Sequence, residues 1–159
     1  MGDALTHLDA RGRARMVDVS EKPATVREAV ARCRVQLAEA TFALVRDGHA
    51  RKGDVLTVAQ VAGLQAAKRT SELIPLCHPI ALTFVGVELS LDEARHAVEI
   101  EACCRTRGET GVEMEALTAA SVAALTVYDM CKAVERGIRV TDLRLVRKSG
   151  GRSGEWVGE

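Results

Sequence analysis

The chain has 159 residues, room for one domain of ordinary size and not for two. Its 22 Lys and Arg balance its 22 Asp and Glu, which excludes the large basic excess that drives nonspecific binding to nucleic acid or to an anionic membrane. Apolar residues at 47% are too many for a disordered chain, and aromatic residues at 3% are too few for a base-stacking platform.

Residues 1–13 (MGDALTHLDARGR) carry charge without periodicity and read as a mobile arm ahead of a single domain at 14–159. Ala14-Arg15-Met16-Val17-Asp18-Val19 leans towards β structure and predicts an edge strand, after which Pro23 interrupts. Thr25-Val26-Arg27-Glu28 has the spacing of a capping box, in which hydroxyl and carboxylate each satisfy an orphan amide. Val26, Ala29, Val30, Cys33, Leu37, Ala40, Leu44 and Val45 follow at threes and fours, and Gly48 stands where a helix would stop. This predicts one long amphipathic helix.

Lys52-Gly53-Asp54 reads as a charged turn. A second helix is predicted from near Thr57 to Lys68, with Lys68 and Arg69 at the negative end of its dipole. In Leu73-Ile74-Pro75-Leu76-Cys77-His78-Pro79 both prolines remove a donor and push the preceding residue out of the α region, so the stretch is an irregular loop.

Residues 82–91 and 97–105 predict two strands joined as a hairpin by Asp92-Glu93-Ala94-Arg95-His96. Val98, Ile100, Ala102 and Cys104 share one face of the second strand. Glu99, Glu101, Cys103 and Arg105 share the other, so one side of the sheet is wet. A third, Ala-rich helix is predicted from Glu113 to Arg136, ended by Gly137. A strand at 138–146 and a glycine-rich basic tail at 148–154 follow. The order is β, α, α, β, β, α, β. Apart from one extra helix after the first, this is the split βαβ arrangement of an α+β, ferredoxin-like sandwich, an antiparallel sheet with helices on one face.

The five cysteines (Cys33, Cys77, Cys103, Cys104, Cys131) form no C-x-x-C pair, which argues against a disulfide framework or a four-cysteine zinc site. No run approaches the ~20 apolar residues of a membrane span, and the polar N-terminus has no signal-peptide core. A cytoplasmic protein is expected.

Several groups could carry chemistry. Asp129 and Lys132, three apart, lie on one helical face, and Arg136 extends it by four more. Taken plainly this is a surface ion pair worth ~0.3–0.5 kcal/mol. The apolar neighbours Tyr128, Met130, Cys131, Ala133 and Val134 instead predict a pair beside buried surface, desolvated enough to work as acid and base. His78, held between prolines, is a proton carrier on a fixed backbone, or a histidine satisfied within a rigid loop. Glu113-Met114-Glu115 puts two carboxylates at a helix start, where they suit the dipole or could accept from a purine-like edge. Among the basic residues Arg27, Lys52, Lys68, Arg69, Lys148 and Arg152, two groups differ from solvated surface charge. Lys52-Gly53 and Lys148-Ser149-Gly150-Gly151-Arg152 combine a cation with glycine, whose backbone amides can face a phosphate. No G-x-x-x-x-G-K-[ST] or G-x-G-x-x-G motif is present.

These blocks resemble the MoaC family. Met16-Val17-Asp18-Val19, Lys52-Gly53-Asp54, the Leu73–Pro79 loop, Gly111-Val112-Glu113-Met114-Glu115-Ala116-Leu117-Thr118-Ala119-Ala120-Ser121, Tyr128-Asp129-Met130-Cys131-Lys132-Ala133 and Lys148-Ser149-Gly150-Gly151 stand in the family's order, over about residues 14–154. The resemblance implies a cyclic pyranopterin monophosphate synthase of molybdenum cofactor biosynthesis. Such a lyase converts 3′,8-cyclo-7,8-dihydro-GTP into cyclic pyranopterin monophosphate and releases pyrophosphate. It implies a homohexamer, a trimer of dimers with active sites at the dimer interface, and no metal or organic cofactor. The family's catalytic residues fall on Asp129, Lys132 and Lys52, and its substrate loop on Leu76, Cys77 and His78. Its base-contacting segment falls on Glu113, Met114 and Glu115, and its phosphate contacts on Arg27, Lys68 and Lys148. Repulsion between Lys52 and Lys132, with burial, would make one of them a base. Two rivals remain: a metal-dependent purine hydrolase using Cys77 and His78, and a noncatalytic ligand-binding or RNA-binding module, the latter disfavoured by few aromatics and zero net charge.

Overall fold

A computed structural model describes residues 7–9 and 11–158. The arm expected at 1–13 therefore lies partly outside the described residues.

The central strand β1, Thr25–Gln36, occupies most of the stretch whose spacing predicts a helix. Ala29, Ala31, Cys33 and Val35 are at most 1% exposed on one face, while Arg32 and Arg34 on the other pair with Glu101 and Glu99. The apolar residues satisfy threes and fours only when both faces are read together; read alternately they have the period of two that a strand requires. The hydroxyl of Thr25, expected to cap a helix, is instead a buried oxygen without a hydrogen-bond partner among the described residues. Helix is confined to α1, Glu39–Arg46.

Two antiparallel neighbours hold β1 in place, β3 (Ala97–Gly108) along its whole length and β4 (Arg139–Ser149) on its other side. Outside β3 lies β2, Leu82–Asp92, completing the predicted hairpin, and outside β4 lies the two-residue β5, Trp156–Val157, which the sequence pattern does not signal. The sheet order is β2-β3-β1-β4-β5, a ferredoxin-like antiparallel sheet with one short added edge. The edge strand expected at 14–19 does not form: Ala14 makes an isolated bridge with Leu8, and the rest of the segment runs outside the sheet.

On one face pack α2, Val55–Lys68, and α4, Glu113–Cys131. Their small residues allow close approach, and a Cβ at Gly63 would stand 3.0 Å from the Ala119 carbonyl oxygen and 3.3 Å from Ala123 Cβ. α2 starts at Val55, just before the expected Thr57, and Asp54 caps it, accepting from the Thr57 amide at 3.1 Å and its hydroxyl at 2.6 Å. A single turn, α3 (Thr70–Leu73), leads into the proline loop. The end of α4 comes at Cys131, before the predicted Arg136. Arg136 thus lies beyond the helix, where its carbonyl accepts from the Tyr128 hydroxyl at 3.2 Å. The opposite face of the sheet is a ladder of ion pairs, including Glu28 between Arg105 and Arg147. No helix among the described residues is long and apolar enough to cross a membrane.

Candidate functional site

Asp129 sits in the last turn of α4, Lys132 is the residue that ends that helix, and Lys52 comes from the α1–α2 loop, 77 residues from Asp129. Lys52 Nζ stands 2.9 Å from Asp129 Oδ2 and donates to the Asp129 carbonyl at 3.0 Å; Lys132 Nζ stands 2.6 Å from Oδ1. One carboxylate therefore separates two ammonium groups. Hydrogen bonds from Lys132 and then Lys52 pull the Asp129 carboxyl down to about 2, and the same bond to Asp129 raises Lys132. Two expectations are corrected. The side chains of Lys52, Asp129 and Lys132 are 49%, 54% and 52% exposed, so the pair is not desolvated within the chain. Lys132 is also shifted towards its charged form rather than towards a base, because it hydrogen-bonds the Asp129 carboxylate. A largely apolar cavity of about 430 Å³, lined by residues such as Leu44, Met130, Cys131 and Val134, opens beside Lys52.

A second cluster forms at the other end of α4. Leu76, Cys77, His78, Glu113, Met114 and Glu115 all line one cavity of about 310 Å³. His78 Nε2 lies 2.7 Å from the Val17 carbonyl. A carbonyl only accepts, so Nε2 is the donor in this contact, which ties the ring to the Met16–Val19 segment. Glu115 is 3% exposed, and burial pushes its carboxyl up; burial also raises the Cys77 thiol.

Next to it a cavity of about 520 Å³ is lined by Lys22, Arg27, Glu113, Lys148 and Arg152, among others. Glu113 faces both chambers and pairs with Lys148 at 3.0 Å. The Arg27 guanidinium is anchored on backbone, Nε donating to Gly108 O at 3.3 Å and Nη2 to Glu109 O at 3.0 Å. Lys68 is not part of this trough: it faces a separate groove lined by Leu64, Leu82 and Phe84, which shares Ile80 with the His78 cavity.

The expected site residues thus gather in two groups. Asp129 is sixteen positions beyond Glu113 on α4, roughly 24 Å at 1.5 Å per residue. Proton carriers must come within ~2.6–3.2 Å of the atoms they serve, so the two groups of one chain cannot attend the same reacting ring. Sequence reasoning missed Lys22, which lines both chambers, and the contribution of His7, Val17 and Val19 to the His78 cavity. The Met16–Val19 block signalled Val17 and Val19, which line the cavity although no strand forms there, but neither Lys22 nor His7. Among the described residues no three His, Cys, Asp or Glu side chains cluster as a metal site.

Residues 16–151 match the MoaC family model. The chain is 61% identical over 157 residues to a cyclic pyranopterin monophosphate synthase of Heliobacterium modesticaldum, covering 99% of each chain. It is 60% identical over 152 residues to the enzyme of that name in Chloroflexus aurantiacus, covering 96% of this chain and 93% of the relative. For the Thermomicrobium roseum protein of the same name the identity is 63% over 155 residues, 98% of this chain and 93% of the relative.

Proposed function

The chain belongs to the MoaC family, and from that premise we propose that it is a cyclic pyranopterin monophosphate synthase. It is a lyase that converts 3′,8-cyclo-7,8-dihydro-GTP into cyclic pyranopterin monophosphate and pyrophosphate in molybdenum cofactor biosynthesis. The observation that carries the catalytic reading is the closure on Asp129 of Lys132, from the same helix end, and of Lys52, from 77 residues away.

Building the new ring and the cyclic phosphate moves protons on and off ring and sugar atoms and then expels a polyanionic leaving group. Asp129, Lys132 and Lys52 are the catalytic group in this reading. Asp129 keeps both ammonium groups aimed, and Lys132, raised by that contact, serves as a proton donor and as a cation for developing negative charge. His78, Leu76 and Cys77, with Glu113, Met114 and Glu115, hold the ring system in the smaller chamber. Arg27 and Lys148 take the phosphates in the larger one, where a polyanion needs cations despite the chain's zero net charge. Lys68 remains a phosphate contact only if it is brought to the substrate by another copy.

The separation of the two groups along α4 supports a site completed by a second copy. The Asp129 group of one subunit faces the His78 and Lys148 chambers of its partner, in dimers that assemble as a homohexamer. A single catalytic domain at 14–159, an arm at 1–13 and a cytoplasmic location complete the reading. Purified protein incubated with 3′,8-cyclo-7,8-dihydro-GTP should yield a tricyclic pterin and equimolar pyrophosphate; absence of both overturns the assignment.

A further inference from the structure

We propose that Gly151 is a positioning residue for substrate binding: its missing side chain is the space in which the Arg27 guanidinium lies at the mouth of the larger chamber. The proposal rests on the reading of that chamber as the polyphosphate site. Arg27 comes from the first residues of β1, and the turn that follows β4 folds back over it. A Cβ on Gly151 would overlap Nη1 and stand 2.6 Å from Cζ, well inside contact distance. Meanwhile Nε and Nη2 are committed to the Gly108 and Glu109 carbonyls, and Nη1 has no acceptor among the described residues. Two of the three nitrogens are thus spent on holding the group, and the third is presented where the chamber opens. Arg152, the next residue of the same turn, lines the chamber without a carboxylate partner among the described residues. The turn therefore acts on the anion site from both sides, by leaving room for one guanidinium and by carrying another.

What yields on substitution matters. The group in the way at Gly151 is the far end of a flexible side chain, so a methyl there moves Arg27 rather than the backbone. A methyl on Gly150, by contrast, would meet the backbone of Val26 and Arg27, the latter Cα at 3.2 Å. Gly151 also has φ of +72°, which any side chain strains. Gly154 separates the two effects, because it has a similar φ of +65° and a methyl there would have no neighbour within 4 Å.

The test compares Gly151→Ala, Gly154→Ala, Arg27→Ala and the Arg27→Ala/Gly151→Ala double variant, measuring kcat, KM, inhibition by inorganic pyrophosphate and the thermal midpoint. Gly154→Ala should keep KM and pyrophosphate inhibition close to wild type. Gly151→Ala should raise KM and weaken pyrophosphate inhibition about tenfold, as expected for a displaced charged donor, at a thermal midpoint like that of Gly154→Ala. In the Arg27→Ala background the Gly151 substitution should add less than twofold. The inference is overturned if Gly151→Ala matches Gly154→Ala in KM, or if its effect multiplies fully with that of Arg27→Ala. An Arg27→Ala variant with unchanged KM and unchanged pyrophosphate inhibition overturns the polyphosphate reading as well, which tells the two failures apart.

Discussion

Two inactive variants should restore one another if the site is shared between copies. Asp129→Ala removes the centre of the lysine group, and His78→Ala removes a ring-holding side chain of the chamber at the other end of α4. Loss of a positioned acid or base, or of the contact that aligns the substrate against it, costs about 10²-fold or more, so each variant alone should run at about 1% of wild type or below. In a two-fold dimer with two shared sites, a mixed pair has one site bearing both lesions and one site bearing neither. Equal co-expression with random pairing makes half the dimers mixed, so about a quarter of all sites are intact and about 25% of wild-type activity should return. The assay is pyrophosphate release from 3′,8-cyclo-7,8-dihydro-GTP by the co-purified mixture. Asp129→Ala mixed with Lys52→Ala is the control: both lesions belong to the same half, every site keeps one, and nothing should return. A mixture of the first pair no more active than its parents would refute the shared site.

Lys132→Ala should abolish product formation while leaving far-ultraviolet circular dichroism unchanged, because its side chain is half exposed and touches Asp129 rather than the core; normal turnover removes it from the mechanism. The Asp129 carboxyl, ordinarily near 3.8, is held at about 2, so the stability its ion pairs supply is present above the ordinary value and lost as pH falls through about 2. Thermal unfolding should therefore separate Asp129→Asn from wild type near neutral pH and bring the two together at about pH 2, whereas a gap independent of pH contradicts the ion-pair geometry. Gly63→Ala sets a helix-propensity gain of up to about 1 kcal/mol against an overpacking cost of about 1–3 kcal/mol. Its neighbours at 3.0–3.3 Å are a helix carbonyl, a stiff Val87 methyl and a buried Ala123 methyl, so urea unfolding should show a net loss of about 1 kcal/mol. A stabilised variant would mean that α2 and α4 slide apart at little cost.

How far the fold was legible depended on whether charge marked the second face of each strand. In β3, Glu99, Glu101 and Arg105 alternate with Val98, Ile100, Ala102 and Cys104, and only a period of two fits. In β1 the alternation holds through Arg32, Arg34 and Gln36, but Val30 is buried on the charged side at 5% exposure. With Val26 on the same side it fills the gaps needed for a helical stripe, and Thr25 and Glu28 mimic its cap. The decision for a strand comes from two neighbours, β3 and β4, neither of which is local in the sequence. The topology was still readable because the strand expected at 14–19, which does not form, stands in for β1 in the order. The Asp129–Lys132 pair was legible from helical spacing, but the arrival of Lys52 was known only through resemblance, since no local rule brings a loop to a helix end 77 residues away.

Net charge is equally a poor guide to where a polyanion can bind, and the reason lies in how the charges are spent. On the open face of the sheet, Arg32 and Arg34 are held by Glu101, Glu99 and Asp142, and Arg105 and Arg147 share Glu28. These cations are already neutralised by neighbours at fixed register. In the larger chamber Arg27 is fixed by carbonyls, which hold a guanidinium in place without cancelling its charge, and Lys22 and Arg152 have no carboxylate partner among the described residues. Lys148 is the exception: it pairs with Glu113, a carboxylate that also lines the smaller chamber. A chain of zero net charge thus carries a local excess of cations where its sheet ladder leaves them uncompensated.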